Sequence, residues 1–73
     1  LSNEREYRVR VPSSIEVEYD RQNDILYLYL EPGETPEEEL LSEEGDIALG
    51  FKEGRLVVIE VHKFSEKIGG YII

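Results

Sequence analysis

Apolar and polar residues alternate with a period of two along several short stretches of the chain, which is the pattern of half-buried β-strands. Tyr7, Val9 and Val11 alternate with Arg8 and Arg10, predicting a strand over 6–11 with a basic outer face. Pro12 and Ser13-Ser14 end it. Ile15, Val17 and Tyr19 then alternate with Glu16, Glu18 and Asp20, predicting a second strand. Residues 20–24 are all polar and rich in Asp and Asn, which bond back to local amides and so favour a turn. Residues 25–30 are apolar at every position, with Leu26, Leu28 and Leu30 on one side and Ile25, Tyr27 and Tyr29 on the other. A strand apolar on both faces belongs in the interior of a sheet or is covered twice. The pattern therefore predicts a hairpin that pairs 15–20 with 25–30.

Glu31-Pro32-Gly33-Glu34 suits a type II turn, with Gly33 taking the positive φ. Residues 35–46 lack either period, and an irregular loop with at most one helical turn is expected there; an edge strand over 39–41 is the competing reading. Ile47, Leu49 and Phe51 alternate with Ala48 and Gly50, and Leu56 to Val61 is another apolar run. Glu53-Gly54 joins these two as a tight turn in which Gly54 supplies a positive φ. In the second run Val57, Ile59 and Val61 share one face, opposite Leu56, Val58, Glu60 and His62. The tail ends Tyr71-Ile72-Ile73, and a short final strand or an inter-subunit contact is expected to bury it. The fold class that follows is mostly β, with at most one short helical turn (an α+β fold at the margin). It is a small antiparallel sheet of four or five strands built from two hairpins.

Composition narrows the function classes. A chain of 73 residues is one domain. Folding at this size buries only roughly 60% of the chain's surface, and the absence of cysteine leaves no disulfide to add stability. An oligomer, most simply a two-fold homodimer, is the expected source of further burial. No apolar run is long enough to span a membrane, and the opening residues lack the charged-then-apolar order of a signal peptide, so the cytoplasm is the expected compartment. Abundant Glu with no Cys or Met is a heat-tolerant, thermophile-like composition.

The net charge of -9 is unevenly placed. Residues 22–51 hold nine acids and no base, while the flanking segments nearly cancel at -1 and +1. An acidic chain of this kind disfavours nucleic acid and favours a basic protein partner. Glu34, Glu37, Glu38, Glu39, Glu43, Glu44 and Asp46 are the candidate docking residues for such a partner. The competing reading is a solvated stretch that opposes edge-to-edge aggregation.

Residues able to carry chemistry are few. Asp20 and Asp24 flank a turn but have Ile25 where a calcium loop requires glycine, so they are expected to satisfy turn amides. Glu60 and His62 share one side of a strand, and a rim position outweighs a general-base or metal role for them. One histidine and no cysteine supply neither a catalytic triad nor a structural zinc site. No catalytic residue, metal site or cofactor is expected. Tyr27, Tyr29, Leu56, Val58, Tyr71, Ile72 and Ile73 are candidate interface positions, since a tyrosine ring can be buried while its hydroxyl stays wet. Asp20, Asp24, Gly33 and Gly54 are expected to be structural.

Tyr19-Asp20, Asp24, Leu26-Tyr27, Gly54-Arg55-Leu56-Val57 and Ile59-Glu60 together resemble the uncharacterised "domain of unknown function 2283" family of small prokaryotic proteins. The resemblance covers about residues 15–64, leaving an added strand at 6–11 and an apolar tail over 65–73. It carries over no activity. Genes of this type often lie beside small toxin-like genes, which implies an antitoxin-like partner role. The leading expectation is a non-enzymatic acidic interaction module that binds a basic protein. A self-associating structural homo-oligomer without a hetero-partner is the alternative, and a ligand- or metal-binding enzyme centred on Glu60, His62 and Asp20 ranks third.

Overall fold

The computed structural model describes residues 14–69. The expected strand over 6–11 and the apolar tip Tyr71-Ile72-Ile73 lie outside the described residues. Within them the order is β1 (Glu16–Asp20), β2 (Ile25–Tyr29), β3 (Glu38–Leu41), β4 (Ile47–Lys52), β5 (Arg55–His62) and the short helix α1 (Phe64–Lys67). The strands form one sheet in the order β1-β2-β5-β4-β3, and every neighbouring pair is antiparallel. The mostly-β class and its antiparallel sheet are those read from the sequence.

Both expected hairpins are present. Asp20 pairs with Ile25 at the first turn, and Lys52 with Arg55 at the second. Glu53 and Gly54 have φ values of 52° and 78°. Two successive positive values define the mirror-image turn whose twist matches that of the strands it joins. The Glu31–Glu34 turn closes with the Glu34 amide donating to the Glu31 carbonyl at 3.1 Å, and Gly33 has φ 91°.

Residues 38–41 differ from the loop favoured by their sequence. Glu38-Glu39-Leu40-Leu41 is an edge strand paired with β4 from Glu38↔Phe51 to Leu41↔Ala48. The Glu37 amide extends the ladder by donating to the Phe51 carbonyl at 2.8 Å. The reason is tertiary: β4 would otherwise leave one row of amides and carbonyls unpaired, and that outweighs the low strand propensity of three consecutive glutamates. After β5, Lys63 turns left-handed at φ 54° and α1 follows, a single short helical turn.

Cross-strand partners share a face, so the register fixes what each side of the sheet displays. One face carries the rows Tyr19–Leu26–Val61–Ile47 and Val17–Leu28–Ile59–Leu49–Leu40, with no charged residue among them; Glu38, opposite Phe51 and two residues from Leu40, puts a single charge at the β3 end of this otherwise uncharged face. The opposite face carries Glu16–Tyr29–Val58–Gly50–Glu39, Glu18–Tyr27–Glu60–Ala48–Leu41 and Asp20–Ile25–His62. Fully buried side chains are few: Val57, at 1% exposure, with Ala48 and Val58. Pro36 lies so close over Gly50, the neighbour of Val58 in the sheet, that a Cβ there would meet it at 2.9 Å. A register shift between Gly50 and Phe51 pairs Phe51 with Leu56 and sets Val57 outside the pairing.

Candidate functional surfaces

The acidic candidates divide into braced and open groups. Glu34 pairs with Lys52 at 2.9 Å, and the same contact raises the Lys52 pKa. Glu37 accepts the Glu53 amide at 3.2 Å. Asp46 pairs with Lys67 at 2.8 Å and accepts the Ser42 hydroxyl at 2.8 Å. Those two donors, Lys67 first, hold its carboxyl down at about 2. Glu38, Glu39, Glu43 and Glu44 are exposed and have no ion-pair partner among the described residues. All four lie on β3 or in the turn that follows it, at the outer margin of the sheet.

Asp20 and Asp24 both serve the first turn. Asp20 accepts the amides of Gln22 and Asn23 at 3.0 and 3.1 Å, and the Asn23 side chain at 2.8 Å. These bonds, the Asn23 side chain first, lower its pKa. Asp24 adopts φ 57° and accepts the Tyr19 hydroxyl at 2.6 Å. It also accepts the Ser65 amide at 2.9 Å and the Ser65 hydroxyl at 2.8 Å, while its carbonyl accepts the Phe64 amide. The Tyr19 bond lowers the Asp24 pKa and raises that of the phenol. Phe64 then packs on Tyr19 with ring centroids 5.8 Å apart. One carboxylate thus ties α1 to a hairpin turn 41 residues earlier in the chain.

Tyr27 and Tyr29 stack on the acidic face with centroids 5.9 Å apart and planes 7° from parallel. Tyr29 donates to Glu18 at 3.3 Å. Burial raises both phenol pKa values, and nearby carboxylates add to it (Glu60 foremost for Tyr27, Glu18 for Tyr29). Glu18, Tyr19, Asp20, Tyr27 and Tyr29 line a wide, shallow cleft there. Of the other interface candidates, Val58 is buried within the chain and Leu56 is half-buried.

Glu60 and His62 meet at 3.2 Å on this same face. Asp20 is two strands away from His62, and both of its carboxylate oxygens are engaged in its own turn. No group of three or more metal-ligating side chains occurs among the described residues. No helix among them is long and apolar enough to cross a membrane.

Two features escaped the sequence reading. Arg55 makes a two-point contact with Glu31 at 3.0 and 3.1 Å, which lowers the Glu31 pKa and fastens the start of the β2–β3 connection to β5. The second is the coherence of the uncharged face, since five strands had to be placed in register before their apolar positions could be seen to align.

Among the described residues, the order and register define a small antiparallel sheet in which two hairpins meet along the β2–β5 seam. A family model described as "Protein of unknown function (DUF2283)" matches residues 16–65, and the chain belongs to that family. The matched segment runs from the start of β1 to Ser65, the residue bonded to Asp24. No curated protein and no solved structure matches the chain.

Proposed function

We propose that this protein is a non-catalytic interaction module that binds a basic protein partner along the outer edge of β3. The observation that carries this reading is the placement of Glu38, Glu39, Glu43 and Glu44 on the last strand of the sheet and its turn. That edge offers two things at once. Its backbone groups, without a strand partner among the described residues, can accept an added strand, and its four carboxylates can attract a basic segment. Asp46, Glu34 and Glu37 brace the platform, being committed to Lys67, Lys52 and the Glu53 amide. An antitoxin-like role, holding a small basic toxin, is the form of this function that the family resemblance suggests.

Capture of a partner from its own cell lysate at low salt, with the partner identified, tests the reading. Retention falls as sodium chloride rises, because exposed charges more than about 8 Å apart are largely screened at physiological ionic strength. A variant carrying Gln at positions 38, 39, 43 and 44 loses capture while keeping its fold. Retention indifferent to both salt and these substitutions would sink the proposal.

A further inference from the structure

The uncharged face of the sheet has no second layer among the described residues. A sheet with one apolar face must bury that face against another element. The only other regular element described is α1, four residues long and docked at the β1–β2 turn. At the two ends of the longer apolar row, Val17 is 60% exposed and Leu40 is 61% exposed. The rest of the face is only half-buried, although it lies between neighbours in the sheet.

We infer that this face is covered by the same face of a second copy, the two sheets packing about a two-fold axis as a sandwich. Strands spaced ~4.8 Å apart and ~3.4 Å per residue give a five-strand face a flat footprint of about 24 by 17 Å. That is ~400 Å², the size at which an uncharged patch marks an association site. The exposed Ile15 extends the patch at its β1 rim.

The remaining candidates for that layer are poorer fits. Tyr7, Val9 and Val11 would present three apolar side chains from one strand, about 5 Å of a face about 24 Å wide. Tyr71-Ile72-Ile73 is shorter still. A basic partner gains little from a surface whose one charge, Glu38, sits at its edge. A second copy brings an equally uncharged, leucine- and isoleucine-rich surface, and a two-fold axis makes the patch self-complementary. Aligned sheets pack about 10 Å apart, the spacing that such side chains fill.

This pairing is independent of the β3 edge, and its salt response has the opposite sign. Each copy carries a charge of -9, so two copies repel, and screening strengthens their association. Sedimentation equilibrium of the full chain should show a dimer whose dissociation constant falls as salt rises. Val17→Glu and Leu40→Glu, at positions already largely exposed in the single chain, should weaken the dimer roughly 100-fold or more, with the far-ultraviolet circular dichroism unchanged. Mixing methyl-labelled with unlabelled chains should give contacts between copies at Leu28 and Ile59, in the middle of the face. Three results would overturn the inference: a monomer near 8.5 kDa at every salt and concentration, a dimer indifferent to both substitutions, or a dimer without contacts at Leu28 and Ile59.

Discussion

Asp24 does the work of several residues. Its side chain accepts a phenol, an amide and a hydroxyl, and its backbone occupies the left-handed region. Asp24→Asn removes the negative charge that keeps the Tyr19 proton in place. The Tyr19 pKa should therefore drop back toward 10.0, as read by ultraviolet titration of the phenol. Asp46 gives a pH signature. Its folded pKa of about 2 lies below its ordinary 3.8, so the stability it contributes is complete above 3.8 and fades as pH falls toward 2. Urea midpoints measured between pH 5 and pH 2 should decline less steeply in Asp46→Asn than in the parent. Gly50 is a packing position. A Cβ there would lie 2.6 Å from Val58 Cγ1 and 2.9 Å from Pro36 Cβ. Neither a β-branched side chain nor a proline ring yields readily, so Gly50→Ala should cost about 1–3 kcal/mol in equilibrium unfolding.

At the scale of elements, legibility followed the range of the forces involved. The β1–β2 and β4–β5 hairpins were plain in the sequence because alternation at Ile15–Asp20 and the Glu53-Gly54 pair act locally. β3 was not, because nothing in Glu37-Glu38-Glu39 favours a strand; the open edge of β4 makes it one. The role of Asp24 was half legible: the turn was expected, but the partner at Ser65 lies too far along the chain for any local pattern. The candidate acids were all named, yet the sequence could not separate braced Asp46 from open Glu43, since Lys67 reaches Asp46 only after α1 docks. Glu53 offers a direct test of the turn chemistry. A glutamate at φ 52° is strained where asparagine is well tolerated, and its ion pair with Arg55 is exposed. Glu53→Asn should raise stability by about 0.5–1 kcal/mol in thermal or urea unfolding.

For the whole molecule, the sheet separates two chemistries. One face is apolar apart from Glu38 at its β3 edge, and the other collects Glu16, Glu18, Asp20, Glu39 and Glu60 around two stacked tyrosines. The open acids occupy a margin between them. The proposed self-association and the proposed partner binding draw on different surfaces and should respond to salt in opposite senses, so one titration monitored by both sedimentation and partner capture tells them apart. Joined by their uncharged faces, two copies would still leave both β3 edges free, and a complex with one partner on each edge should have a 2:2 stoichiometry by light scattering.

The β2–β5 seam also governs how the chain reaches this state. Each hairpin closes over a loop of two to four residues, whereas Tyr29 must find Val58 across 29 residues of chain. Local hairpins assemble in about 1–10 μs, and the distant pairing waits on loop closure. The middle of the sheet is thus its kinetic bottleneck, and substitutions along the seam should change the refolding rate more than equally destabilising ones on β3.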